Sequence, residues 1–233
     1  MSYTKSRWLT VLDVVTIIFL VAASVMVFLY APLEKSMGAV QRVFYFHVSV
    51  GWTGMLGFLV ALVAGIVYLR THDRKWDIAG LAGIEIGLVF MLVNIVTGSI
   101  WAYPAWNTWW TWDPRLTTAT IMELAYAAYL MLRSGIEDPE RRARFGAVYA
   151  IIAFVSVPLT FFSIRLWNTI HPVVIGSNEA GATGAFSMTP KMTQTFMFSL
   201  LTFSIIFADL YWHRYRLGRL ADEVETRKLK LVE

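Results

Sequence analysis

The sequence predicts an all-α, polytopic integral membrane protein with six transmembrane helices and both termini in the cytoplasm. Hydrophobic residues make up 57% of the 233-residue chain and charged residues only 15%, whereas a soluble domain carries about 25% charged residues. The charges fall in short clusters between apolar runs of roughly twenty residues, the length a helix needs to cross a hydrocarbon core. In the resulting topology, fifteen of the 20 Lys and Arg residues fall on one side.

The six apolar segments lie at about 9–31, 43–69, 78–100, 115–133, 146–166 and 191–212. Backbone polar groups inside a membrane must be satisfied internally, so each segment is expected to be a helix. The first segment is longer than a signal-peptide core and is expected to stay as an anchor. Glycines in the second and third segments are expected to allow close helix packing: Gly51, Gly54, Gly57, Gly83 and Gly87.

Basic residues accumulate on the cytoplasmic side of membrane proteins. Both termini are therefore expected inside, with residues 1–213 forming the membrane domain and 214–233 a charged cytoplasmic tail. The basic clusters then face the anionic headgroups of the lipid bilayer, so the net charge of +4 does not indicate nucleic-acid binding. The chain has no cysteine, which excludes disulfides and thiolate metal sites. It also lacks a GxxxxGK[ST] phosphate-binding loop, so ATP chemistry would have to come from another subunit.

The segment "WAYPAWNTWWTWDPRL" holds five of the ten tryptophans, in a loop predicted over 101–115 on the outer side. An aromatic belt at the interface is one interpretation. The other is a flat surface for a large planar apolar ligand such as haem, a quinone or a lipid. Trp106, Trp109 and Trp110 stand at helical spacing, which predicts a short interfacial helix. Asp113 and Pro114 predict the N-cap and first position of the following helix.

Two of the four histidines lie at the same predicted depth as this loop. His47 begins the second segment and His171 follows the fifth, both on the outer side, whereas His72 and His213 lie among charges on the inner side. Two neutral imidazoles from different parts of a chain can ligate one haem iron. A respiratory cytochrome b is not indicated, because no histidine lies near the centre of a predicted span.

These motifs together resemble a known family. "WNTWWTWDPRLT" is similar to the tryptophan-rich signature of WWD-domain proteins, which handle haem in cytochrome c maturation. "RVFYFHV", "TGSIWAYPAW" and "WNTIHP" extend the resemblance to the small CcmC-type member over nearly the whole chain. The family usually has Gly where this chain has Asn107, and Asn tolerates left-handed backbone better than most residues.

The resemblance implies a haem site built from particular residues. His47 and His171 match two axial histidines that hold the iron of a non-covalently bound haem b. The remaining expected haem-binding residues are Trp101, Trp106, Trp109, Trp110, Trp112, Asp113 and Arg115. Arg115, with Arg42 and Arg165, is a candidate partner of the haem propionates, and simple interfacial anchoring is the alternative for these arginines.

The resemblance also implies a function at the cytoplasmic (inner) membrane, with the haem site facing the periplasm or cell exterior. The protein is expected to deliver haem to a membrane-anchored chaperone beside subunits of an ABC-type transporter, and not to act as an enzyme. Two alternatives stay open: a haem channel past Glu85 or Glu123, and a quinone-binding redox subunit. For both glutamates a structural role within the bundle is favoured, although intramembrane ionisable residues are often functional.

Overall fold

The computed structural model describes residues 6–34, 37–171 and 188–232, and these residues are almost entirely helical. The helices are α1 (Arg7–Val25), α2 (Gln41–Thr71), α3 (Arg74–Trp106), α4 (Pro114–Ser134), α5 (Pro139–Ala153), α6 (Ser156–Leu166) and α7 (Pro190–Val232). A single wide, π-helical turn over Met26–Tyr30 continues α1. The prediction of an all-α polytopic membrane protein is confirmed.

Five helical stretches of the described chain are long and apolar enough to cross a membrane: Arg7–Tyr30, Gln41–Thr71, Arg74–Trp106, Pro139–Leu166 and Pro190–Lys228. The fourth predicted span corresponds to α4, which is more polar than these five stretches and is not among them. Its 21 residues nevertheless cover about 30 Å. They run antiparallel to α3, because Arg133 near the end of α4 pairs with Asp77 near the start of α3. A sixth span therefore stays a prediction that this packing supports.

The Arg133–Asp77 pair fastens α3 to α4 within the bundle. Its two parallel contacts measure 2.5 Å from Nη1 to Oδ1 and 3.0 Å from Nη2 to Oδ2. The two side chains are only 9% and 6% exposed. The pairing satisfies both buried charges in the planar geometry that suits a guanidinium and a carboxylate.

The fifth predicted span, 146–166, lies within the membrane-crossing stretch Pro139–Leu166, but it is not one continuous helix. The helical stretch begins at Pro139 and is broken between α5 and α6 at Phe154 and Val155. Pro158 explains the break, because proline has no amide hydrogen and its ring collides with the carbonyl four residues earlier, that of Phe154. Both halves pack against α4, and α5 also packs against α2.

The residues of the predicted tail belong to α7. The helix continues without interruption through Val232, and two ion pairs hold this part to α3. Arg214 contacts Glu85, with Nη2 2.8 Å from Oε1, and Arg74 contacts Asp222. The contact with Arg214 gives Glu85 a structural role within the bundle, the role that the sequence favoured. One carboxylate oxygen of Glu123 is buried without a hydrogen-bond partner among the described residues.

Glycines bring α2 and α3 into backbone contact, as predicted. A Cβ placed on Gly83 would lie 2.6 Å from the carbonyl oxygen of Gly57, and one on Gly51 would lie 2.7 Å from Nδ2 of Asn94. Real Cβ atoms do not approach a backbone oxygen as closely as 2.6 Å, so only glycine at position 83 permits the observed separation of the two helices.

We expect Gly83→Ala to lower the free energy of unfolding by about 1–3 kcal/mol, because the added methyl group must push α2 and α3 apart. Thermal unfolding in detergent measures the effect. Gly135→Ala is the matched control: its Cβ would lie 3.7 Å from the nearest carbonyl oxygen, at ordinary contact distance. Equal melting temperatures for the two variants would contradict the packing argument.

Candidate functional site

Four of the predicted site residues line one cavity at the end of the bundle predicted to face outward. His47 comes from α2, Trp101 from α3, Arg115 from α4, and His171 from the segment after α6. The cavity has a volume of about 140 Å³. Its remaining lining is mostly apolar, with Phe44, Val48, Phe161 and Ile164, and it includes Gly98 and the guanidinium-bearing Arg165.

Residues of α3 hold the His47 ring. Its Nδ1 lies 3.1 Å from the backbone carbonyl oxygen of Asn94 and 3.2 Å from Oγ1 of Thr97. Thr97 donates its own proton to the carbonyl of Val93 at 2.7 Å, so its hydroxyl can accept. Both acceptors favour the tautomer with hydrogen on Nδ1, which leaves the Nε2 lone pair available. Nδ2 of Asn94 also lies 3.2 Å from Nδ1, but it donates its hydrogen bond to the backbone carbonyl of His47 at 2.7 Å. A Cβ on Gly98 would lie 2.8 Å from Cε1 of His47, so glycine provides the space for this ring.

Asp113 holds His171 from the start of α4. Its Oδ1 accepts a hydrogen bond from the Leu116 amide at 2.9 Å, which confirms the predicted N-cap. Its Oδ2 accepts from Nδ1 of His171 at 2.9 Å and also from the hydroxyl of Thr169. One carboxylate therefore begins the helix and orients the imidazole, again with Nε2 available.

Burial and hydrogen bonding set the protonation states of this pair. Burial lowers the pKa of His171 below its ordinary value, and the hydrogen bond to Asp113 opposes this only in part. Burial alone would raise the pKa of Asp113, but the hydrogen bonds from Thr169, Leu116 and His171 outweigh it, and the pKa lies below its usual range. At neutral pH the pair is therefore a carboxylate beside a neutral imidazole.

The five tryptophans form two separate pairs and one isolated ring, and they do not form one flat surface. Trp101 is buried and packs edge-to-face on Trp106 at a centroid distance of 4.9 Å; Trp106 in turn packs edge-to-face on the His171 ring at 5.1 Å. Trp110 and Trp112 contact one another at 5.6 Å, and Trp109 stacks on a neighbouring tyrosine. Trp109 and Trp112 are exposed.

The predicted short helix through Trp106, Trp109 and Trp110 was wrong. The helix α3 extends past the predicted start of the loop to Trp106, and the residues from Asn107 to the N-cap Asp113 are not helical. Asn107 ends α3 with left-handed backbone at φ 55° and ψ 31°, the conformation in which helices commonly terminate. Asn107 thus adopts the left-handed backbone that asparagine tolerates better than most residues.

The three candidate arginines have different positions. Arg115 and Arg165 line the cavity, and Arg115 also donates a hydrogen bond to the carbonyl of Thr160 on α6. Arg42 lies outside the lining: it donates to the carbonyl of Phe28 at 3.0 Å and packs over the Phe28 ring. The structure thus places two of the three cations where an anionic group in the cavity could reach them.

Sequence reasoning missed the residues that hold the two histidines from neighbouring elements. The available signal for Asn94 is that a polar residue lies within the apolar segment 78–100. Thr97 and Thr169 gave no signal beyond their proximity to other motifs.

Comparison with known proteins agrees with the geometry. The CcmC family model, described as heme exporter protein C, matches residues 1–230. This chain belongs to the CcmC family. It is 29% identical over 234 residues to the heme exporter protein C of Rhodobacter capsulatus, covering 99% of this chain and 92% of that one. For the Escherichia coli K12 protein of the same name, the identity is 29% over 209 residues, covering 90% and 81%.

A third CcmC relative, the heme exporter protein C of Bradyrhizobium diazoefficiens, is 29% identical over 203 residues, covering 87% of this chain and 74% of that one. The family resemblance inferred from the tryptophan signature is therefore confirmed.

We expect Asp113→Ala to lower the free energy of unfolding by about 1 kcal/mol, the usual cost of losing an N-cap. Asp113→Asn should cost less, because an amide oxygen can still accept the hydrogen bond from Leu116. Thermal unfolding of both variants in detergent tests this order. If Asn is as destabilising as Ala, the cap at α4 is not what Asp113 contributes to stability.

Proposed function

We propose that this protein binds haem b non-covalently at the outer face of the cytoplasmic (inner) membrane. It delivers this haem to a membrane-anchored chaperone for the biogenesis of c-type cytochromes. The observation that carries the proposal is that His47 and His171, far apart in sequence, line one cavity. The relatives' printed name, heme exporter protein C, agrees with a role in haem handling.

Both imidazoles suit iron coordination. Each has its Nδ1 against a fixed acceptor, the Asn94 carbonyl for His47 and the Asp113 carboxylate for His171. Such partners fix the tautomer and ring orientation of a metal-binding histidine and raise its basicity. The Nε2 atoms would then be the atoms that hold a haem iron.

The rest of the lining fits a porphyrin with its propionates. Phe44, Val48, Phe161 and Ile164 offer apolar contact, and Arg115 and Arg165 can pair with carboxylates. Sites that enclose a ligand measure roughly 300–1,000 Å³, well above the 140 Å³ found here. The cavity would therefore enclose only part of a haem macrocycle.

Partial enclosure suits a cargo that must be passed on. The chain has no cysteine to bind haem covalently, so release requires only that two axial bonds and the surrounding contacts break. We infer that the protein acts as a carrier and not as an enzyme. It also has no phosphate-binding loop, so ABC-type transporter subunits would supply any ATP hydrolysis in the same system.

The excess of basic residues on the opposite side of the topology supports an outward-facing site, in the periplasm or at the cell exterior. The channel alternative gains no support from the two glutamates, because neither Glu85 nor Glu123 is among the residues that line the cavity. Glu85 contacts Arg214 instead.

We expect the purified protein with haem to show a six-coordinate, low-spin absorption spectrum. His47→Ala and His171→Ala should each convert it to a high-spin spectrum or lose the haem, because one axial ligand is gone. Added imidazole should restore the low-spin spectrum in both variants, which separates loss of a ligand from loss of the fold.

His72→Ala is the matched control for the spectra, because His72 ends α2 far from the cavity. The wild-type spectrum should persist in this variant. Identical spectra for all four proteins, or no haem binding even after haem is added, would refute the two-histidine site.

We expect Asp113→Asn to weaken haem binding by about 10–100-fold, the usual effect of removing the partner of a metal-bound histidine. The neutral amide no longer holds the His171 Nδ1 hydrogen with a full negative charge. Haem titration followed by absorbance measures the affinity, and circular dichroism verifies that the helices persist. Unchanged affinity would show that Asp113 serves α4 alone.

A further inference from the structure

A second group of ligand-type side chains lies at the other end of the bundle, between α1 and α7. Asp13 on α1 and Asp209 and His213 on α7 each offer one ligand atom, and these three atoms lie within 4.8 Å of one another. The group is about 25 Å along α7 from Met192, which packs near the histidine cavity. The sequence placed His213 among charges on the predicted inner side.

The spacing of these side chains fits a divalent metal ion. Asp209 and His213 are four residues apart, so they share one face of α7, and Asp13 opposes them from α1. The His213 Nε2 atom lies 2.8 Å from Oδ1 of Asp13 and 3.5 Å from Oδ1 of Asp209. Ligand atoms around a tetrahedral zinc ion, each about 2.0–2.1 Å from the metal, are separated by about 3.3 Å.

The hydrogen bonds among these three residues leave one atom unsatisfied. Nε2 of His213 can carry only one hydrogen, and the shorter contact directs it to Asp13. Asp209 is only 8% exposed, and its Oδ1 has no hydrogen-bond partner among the described residues. A buried carboxylate oxygen without a donor is costly, and a second carboxylate beside it adds repulsion between like charges.

We propose that Asp13, Asp209 and His213 form a binding site for a divalent transition-metal cation of the zinc class. The ion replaces the His213 hydrogen, so that Nε2 and both carboxylates bind it at once. Mixed nitrogen and oxygen donors suit zinc. Because His213 is exposed, water reaches the remaining coordination position. The bound ion joins α1 to α7 at the inner end of a contact that also includes the stacked rings of Phe19 and Phe198.

Zinc itself is the probe. The full-length protein, purified without a histidine tag, is equilibrated with zinc by dialysis, passed through a desalting column and analysed for metal content. We expect one zinc per wild-type protein. Asp209→Asn and His213→Gln should each reduce it to background. His213 is exposed, so its replacement leaves the fold intact even if Asp209→Asn does not. X-ray absorption should show light first-shell neighbours together with the outer-shell scattering of a single imidazole ring.

Two controls separate this site from other histidines. His72→Ala removes a histidine from the same predicted face and should keep its zinc. The double variant His47→Ala/His171→Ala should also keep its zinc, which makes the result independent of the haem proposal. Zinc content that is equal in wild type, Asp209→Asn and His213→Gln, or absent from all three, would overturn the site and leave an Asp–His ion pair between α1 and α7.

Discussion

The close contact between α2 and α3 is the constraint on which the site depends. The two antiparallel helices meet through successive turns, with Gly57 against Gly83 and Gly51 against Asn94. The next turn brings His47 against Gly98. A larger side chain in place of one of these glycines would separate α2 from α3 and move the Asn94 carbonyl away from the His47 ring. Packing in the middle of the membrane thus sets the orientation of a side chain near its surface.

Asp113 is the corresponding constraint on the other side of the cavity. The same carboxylate caps α4 through Leu116 and holds Nδ1 of His171. The position of the helix and the orientation of the imidazole therefore cannot vary independently. The neighbouring tryptophans contribute to this arrangement by packing, since Trp106 lies edge-on to the His171 ring. Asp113 thus has a second role, holding the His171 ring, that its position as a helix N-cap does not predict.

The sequence predicted what depends on local chemistry. Hydropathy located the spans, the Asp113–Pro114 pair located the start of α4, and the glycines indicated the close packing of α2 and α3. It misjudged features in which one residue overrides a periodic pattern: Asn107 ends α3 despite the spacing of the tryptophans, and Pro158 breaks a continuous apolar run. Contacts between packed helices, such as that of Asn94 with His47, depend on how the two helices are aligned along their axes. Neither hydropathy nor residue spacing predicts that alignment.

The cavity lies between two parts of the bundle, one formed by α2 and α3 and the other by α4 and α6. His47 belongs to the α2–α3 pair, whereas His171 is held by α4 through Asp113, and α6 packs against α4 through Thr160 and Thr118. On the proposed function, a haem held by both histidines would connect these two parts, since His47 comes from one and His171 from the other. Loss of either side chain would then remove this connection and leave the contacts within each part intact.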